Sequence, residues 1–258
     1  MTANKLERPG AAQATFAQSF RELSLAQKGK KGVPLYCLYV NRPAGRVVAA
    51  ALRNTRFGPN HVTFAGAFLT YGALLWLAFG AGAGAGSALV GVALAAGFIL
   101  DSADGQLARL QGRSSKLGEW LDHVLDSGRI VALHGAVFCF LLRTTSLPAL
   151  PLATLCGVFL FANSTIFFAG ALFDQLTRQT QSIGSEPGPG PGPGSGSAGS
   201  IKRSILTLPV DYGVTCLVMM MLPLNGIFVP SYLALALFHC VFCAAYVAKF
   251  ARTLSRMG

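Results

Sequence analysis

Apolar residues in this chain come in long unbroken runs, not at the spacing of a half-buried helix or strand. Stretches without Asp, Glu, Lys or Arg cover 62–100, 130–142, 144–173 and 212–248. A bilayer core takes about 20 helical residues per crossing, so the first and last runs each suit two crossings. The Gly/Ala repeat from Gly80 to Ser87 divides the first, and the stretch from Pro223 to Pro230 divides the last. The pattern predicts an all-α, polytopic membrane protein with six transmembrane helices at 62–81, 86–108, 118–142, 147–172, 206–223 and 230–250. The second and third are apolar at one end and carry carboxylates at the other.

Ahead of the first crossing, Arg42, Arg46, Arg53 and Arg56 alternate with Val47, Val48, Ala51 and Leu52. Such a period fits an amphipathic juxtamembrane helix over 42–57, its bases near lipid phosphates and its aliphatics in the acyl boundary. Gly58-Pro59 ends it. Residues 1–35 are polar, are expected to be weakly ordered, and lack the apolar core of a secretory signal. Residues 184–200 are a Gly/Pro/Ser tract that can pack neither as helix nor as strand, hence a linker. The expected organisation is a polar segment 1–41, a surface helix 42–57 and a membrane domain 58–258 containing that linker.

Composition agrees: 52% of the 258 residues are hydrophobic and 12% charged, against about 25% charged in a soluble domain. The net charge is +11, with 21 Lys and Arg. These bases flank membrane runs and accompany no zinc-finger or RNA-binding signature, so no nucleic acid partner is expected. On the side opposite the N-terminus, the expected loops hold one base, Arg143. The positive-inside rule then places both termini and the carboxylate-bearing helix ends on the cytoplasmic face of the cell membrane. Cys240-x-x-Cys243 lies in an apolar run without thioredoxin-like surroundings and reads as reduced packing residues.

The candidate chemistry lies between Asp101 and Asp126. Asp101 and Asp104 are three residues apart, Asp122 and Asp126 four, so each pair shares a helix face. If the faces meet, four carboxylates enter one small volume, which repels itself unless hard divalent cations fill it. Four carboxylates suit two such ions, with ligand positions left for substrate oxygens. Gly105, without a Cβ, lets a nucleotide approach the backbone. Ala108 and Gly118 are similarly small, and Arg109 offers a planar fork of donors to a phosphate. The plain alternative is capping, or pairing with Arg109, Arg113, Lys116 or Arg129. Caps rarely come as two same-face pairs with small residues between them. Glu119 reads as a solvated neighbour, and His123, His134 and His239 as packing residues. Asp211 either lines the cavity or pairs with a base such as Lys202.

The full pattern, D-x-x-D-G-x-x-A-R-x8-G-x-x-x-D-x-x-x-D, resembles the signature of the CDP-alcohol phosphatidyltransferases. All eight defining positions are present: Asp101, Asp104, Gly105, Ala108, Arg109, Gly118, Asp122 and Asp126. Pro59 to Thr63 is similar to the P-N-x-x-T element before the first membrane helix of that family. The resemblance implies a homodimeric enzyme of phospholipid biosynthesis using two Mg2+ or Mn2+ ions. It would transfer a phosphatidyl group from a CDP-alcohol, usually CDP-diacylglycerol, to an acceptor hydroxyl and release CMP. Asp101, Asp104, Asp122 and Asp126 would be the metal ligands, and Asp126 also the general base. Gly105, Arg109 and Ser115 would hold the CDP diphosphate, with Ala108 on the same face, while Asn60 and Thr63 border the nucleotide. Arg129, Arg178, Lys202 and Arg203 could hold an anionic acceptor such as inositol phosphate or glycerol phosphate; a neutral alcohol is the other option. Competing readings are a soluble, CDP-inositol-like donor and, from another class, a divalent-cation transporter with carboxylates at mid-membrane.

Overall fold

A backbone crossing hydrocarbon must satisfy its own N–H and C=O groups, so long apolar runs become helices. The computed structural model describes residues 14–25, 33–184 and 208–256. Among them, five helices are long and apolar enough to cross a bilayer. They are α3 (Pro59–Phe79), α4 (Ala88–Gln111), α5 (Lys116–Thr144), α6 (Ala149–Gly184) and α8 (Asn225–Leu254). Shorter helices are α1 (Phe16–Leu25), α2 (Arg42–Leu52) and α7 (Tyr212–Met219).

The helix ends have local causes. Pro59 starts α3 without wasting a donor, and His61 Nδ1 accepts the Gly58 N–H at 3.2 Å. Gly112, at φ 63°, closes α4 in the left-handed conformation that glycine adopts without a Cβ penalty. Four residues later α5 begins, with Ser115 Oγ accepting from Gly118 N at 3.0 Å. Both α4 and α5 run further toward this junction than the apolar pattern predicted.

α3 packs against both α4 and α5, α6 packs on α5 and α8, and α7 packs on α4 and α8. Helices α6 and α8 are parallel: Phe159 meets His239 at 4.6 Å between ring centres, and further along Phe173 stacks on Phe250 at 4.0 Å. The chain therefore returns over the bundle between them. The described part of that return is a 3-10 turn at Leu208–Val210 followed by α7, eight residues long. This falls short of the expected helix over 206–223. Asp211 caps α7 at its start, its Oδ1 accepting from Gly213 N at 3.0 Å, and Pro223 lies just beyond its end. The linker from 185 onward lies outside the described residues. α8 starts at Asn225 and takes in Pro230, which had been expected to mark a turn.

The N-terminal part departs furthest from expectation. α2 follows a π-helical turn at Cys37–Asn41 and stops at Leu52. It buries Gly45, Ala49 and Ala50; a Cβ on Gly45 would come within 3.0 Å of Ser102 and Gln106 of α4. Within the stretch expected to be weakly ordered, α1 docks on α2. Leu23 joins Ala49, Val62, Ala103 and Leu107 in one buried cluster. Arg53 pairs with Glu22 and donates to Ser19 Oγ, and Arg46 lies over the Phe20 ring.

The bundle core holds the two apolar-run histidines as satisfied packing groups. His134 meets the Tyr232 hydroxyl at 2.5 Å and Asn163 at 3.3 Å, and His239 Nδ1 lies 2.8 Å from Leu235 O. Cys240 and Cys243 are both free thiols. Arg143 sits in the last turn of α5, not in a loop, and donates to Leu77 O at 2.7 Å.

Bare backbone contact at Gly91 joins α4 to α7: a Cβ there would lie 2.4 Å from Met220 N and 2.8 Å from Cys216 O. Neither backbone can give way without moving a helix. Gly91→Ala is expected to destabilise the protein by about 1–3 kcal/mol, read as a melting-temperature drop of several degrees in detergent. Gly135→Ala, where a Cβ would meet nothing within 4 Å, should leave the temperature unchanged or slightly higher. Equal behaviour of the two would show that the α4–α7 contact is not tight.

Candidate metal and nucleotide site

α3 is the element that brings the aspartates of α4 and α5 together. One turn from Asp101, a Cβ on Gly97 would lie 3.2 Å from Gly66 O and 2.1 Å from Thr70 Oγ1. The two backbones therefore touch, and Asp101 is carried close to α3. On the other side, Tyr71 donates its hydroxyl hydrogen to Leu125 O at 2.7 Å. A Cβ on Gly128 would lie 2.4 Å from that hydroxyl. This pins α5 at the residue before Asp126.

The result is a three-carboxylate group. Asp101, Asp122 and Asp126 each offer an oxygen, and these lie within 4.8 Å of one another. Oxygens around a divalent ion at about 2.0–2.6 Å can be up to about 5 Å apart, so the donor set fits one hard cation by both chemistry and size. Asp104 is not in this trio. It is buried, at 8% exposure, and its Oδ2 accepts from Thr63 Oγ1 at 2.5 Å. Thus three of the four expected ligands converge, and α3 holds the fourth. Because α4 and α5 extend past their predicted ends, Asp101 and Asp126 sit nearly three turns inside their helices.

Beside the carboxylates lies a solvent-open cavity of about 350 Å3. Asn60, Thr63, Gly105, Ala108, Arg109 and Ser115, each read from the sequence as a donor contact, all line it. So do Asp104, Asp122, Gly118, Glu119 and His123. At Gly105 an added Cβ would meet nothing nearer than Arg109 Nη1, at 4.0 Å. The space the glycine leaves is cavity, not protein. Ser115 has a second task as the cap of α5, which aims that helix's first N–H groups toward the cavity end, where an anion is favoured. His123 turns Nδ1 to Glu119 O at 2.9 Å and its ring toward Phe167.

Two residues near the site have roles that the sequence left open or did not signal. Arg129, considered for an acceptor and, in the plain alternative, as a partner of the aspartates, takes the second role: its Nη2 is 2.6 Å from Asp126 Oδ1, and its guanidinium lies 4.1 Å from the Tyr212 ring centre. Its three-residue spacing from Asp126 was the available signal. Tyr71 had no signal, since its partner Leu125 is 54 positions away. Asp211 joins neither the cavity lining nor a described base: it caps α7 and accepts from Cys37 N at 2.9 Å. Burial pushes the Cys37 thiol above its usual range, which makes it a poor nucleophile. Lys202, Arg203 and the side chain of Arg178 lie outside the described residues.

No curated protein matches the chain at a significant level. The model of one family, CDP-alcohol phosphatidyltransferase, matches residues 56–242. That span takes in α3, both aspartate helices and the whole cavity lining. On this match over well more than half of its length, the chain belongs to the CDP-alcohol phosphatidyltransferase family.

Proposed function

We propose that this protein transfers a phosphatidyl group from CDP-diacylglycerol to an acceptor hydroxyl, releasing CMP. The acceptor is a small alcohol or sugar phosphate of the inositol phosphate or glycerol phosphate class. The observation that carries the reading is the junction of one cavity, lined by every expected donor-side residue, with the carboxylate group. A nucleotide diphosphate beside four aspartates needs added positive charge. Asp101, Asp122 and Asp126 would hold one divalent ion, and Asp104 would contribute to a second. Mg2+ or Mn2+ there would offset the diphosphate charge and stabilise charge developing on the leaving oxygen.

The chain's own residues do the positioning on which phosphoryl transfer depends. Arg109 presents its fork to the diphosphate, and the clear space at Gly105 admits the nucleotide against the backbone. Asn60 borders the nucleotide from α3, and Thr63 fixes the Asp104 carboxylate. Asp126 accepts the acceptor's hydroxyl proton as its oxygen attacks the β-phosphorus. The bond from that phosphorus to the bridging oxygen breaks, and CMP leaves.

In the membrane, the return from α6 to α8 is read as a sixth crossing, a reading supported by the parallel run of those two helices. The site and both termini then share the cytoplasmic face. The working unit is a homodimer, as the family resemblance implies.

Purified protein given CDP-diacylglycerol, Mg2+ or Mn2+ and a panel of acceptors should release CMP with at least one of them; no CMP from any would sink the proposal. CDP binding followed by calorimetry should need the divalent ion, and equal affinity in EDTA would refute the metal-bridged diphosphate. Asp126→Asn should lose about 10²–10⁴-fold in turnover with a much smaller change in CDP affinity. Arg109→Ala should weaken CDP binding by about tenfold or more, as expected for a charge-assisted hydrogen bond. Near wild-type turnover of Asp126→Asn at saturating substrates would remove Asp126 as the base.

A further inference from the structure

We infer that Arg129 is a resident counter-cation of the carboxylate group, holding it together in the metal-free protein and competing with the metal for Asp126. The inference rests on the reading of Asp101, Asp122 and Asp126 as ligands of a divalent ion. Arg129 is three residues past Asp126 and is not one of the eight positions of the family signature. Its Nη2 sits 2.6 Å from Asp126 Oδ1, with side-chain exposures of 12% and 24%. One oxygen of this ligand is therefore clamped by a guanidinium inside the protein, where charge is weakly screened.

The guanidinium does not depend on Asp126 for its place. It lies 4.1 Å from the Tyr212 ring centre and 5.9 Å from that of Phe98, and those rings meet edge-on at 5.1 Å. Aromatic faces attract a cation and shield it from water, so rings of α4 and α7 hold Arg129 by contacts separate from the carboxylate. Its Nε is buried without a partner. Arg129 also lines, with Asp101, Asp126 and Thr63, a cavity of about 20 Å3, room for roughly one water. A fixed positive charge thus pairs with one of the three converging carboxylates and shares a small cavity with a second.

Such a charge has two opposite effects. It lowers the repulsion among the aspartates when no ion is bound, and it opposes a divalent ion that would bind the same group. A residue that only packs against Tyr212 would stabilise the fold equally at all metal concentrations and have no effect on metal affinity.

The test compares wild type, Arg129→Met and Arg129→Lys as full-length protein in detergent. Thermal unfolding is measured in EDTA and in saturating Mn2+, and Mn2+ binding is measured by calorimetry. Arg129→Met should melt roughly 10 °C below wild type in EDTA, as for a broken buried pair. It should regain most of that in Mn2+ and bind Mn2+ about tenfold more tightly. Arg129→Lys, which keeps the charge, should stay close to wild type on both readings. Should Arg129→Met fail to fold, the double variant Asp126→Asn, Arg129→Met must fold and melt near wild type in EDTA. A double variant that stays unfolded would overturn the inference. A loss in Arg129→Met that persists unchanged in Mn2+, with unaltered Mn2+ affinity, would reduce Arg129 to a packing residue and overturn it too. Failure of all three proteins to bind Mn2+ would overturn the metal reading itself, and this inference with it.

Discussion

Repulsion among the carboxylates is the constraint on which the rest of this structure turns. Two charges within 4.8 Å of each other repel by at least about 3 kcal/mol at an effective dielectric of 20, and the carboxylates of Asp101, Asp122 and Asp126 all lie within that distance of one another. Left to themselves, α4 and α5 would splay until the side chains reached water separately. What prevents this is apolar packing on a third helix. The Gly66–Gly97 approach brings α4 against α3, and the Tyr71–Leu125 hydrogen bond with bare Gly128 beneath it brings α5 against α3. Strain at the site is offset by contacts one turn away from it.

The same arrangement explains why a cavity exists at all. α4 and α5 each pack on α3, and the short turn at Gly112 holds their ends near each other without bringing their faces into close contact. A wedge of space opens between them, with α3 at its apex and the N-terminus of α5 on one side. Small residues at Gly105, Ala108 and Gly118 keep the walls back, and Arg109 and Arg113 lend positive charge to an otherwise acidic opening. A diphosphate meets donors and helix N–H groups on one side and carboxylates on the other. A diphosphate entering with divalent cations, as proposed, would satisfy both.

Much of this was legible in the sequence because it is local. Spacings of three and four along a helix decide which side chains share a face, so the pairs Asp101/Asp104 and Asp122/Asp126 could be placed before any fold was known. Gly58-Pro59 and the Gly80–Ser87 repeat could be read as breaks for the same reason. The illegible parts depend on partners far apart in the chain. Nothing near Thr63 announces that its hydroxyl holds Asp104, 41 positions on, and nothing near Leu23 announces its burial against Leu107. The error at 206–223 is of another kind. Hydropathy there measures apolarity, not continuity: the capping aspartate at position 211 delays the start of α7 to Tyr212, and the helix ends at Met219, ahead of Pro223. Over the expected surface helix at 42–57, the structure has a helix only from Arg42 to Leu52. Its small residues Gly45, Ala49 and Ala50, on which the sequence was silent, are buried, and Gly45 lies against Ser102 and Gln106 of α4.

That contact gives α4 two functional sides. Asp101 faces the carboxylates of α5, and Asp104, Gly105 and Ala108 face the cavity; Ser102, Gln106 and Gln111 face the N-terminal helices, which lie outside the family match. Gln106 donates to Arg42 O at 3.1 Å, and Gln111 donates to Arg53 O at 3.2 Å and Phe57 O at 3.1 Å. Side-chain amides thus fasten α2, and α1 with it, along the back of the motif helix. A helix presenting clustered like charges on one side gains from being clamped on the other, because any rolling about its axis would spread the carboxylates and undo the geometry a metal requires. The N-terminal helices are therefore best understood as part of the site's scaffold, although they contribute no side chain to the cavity.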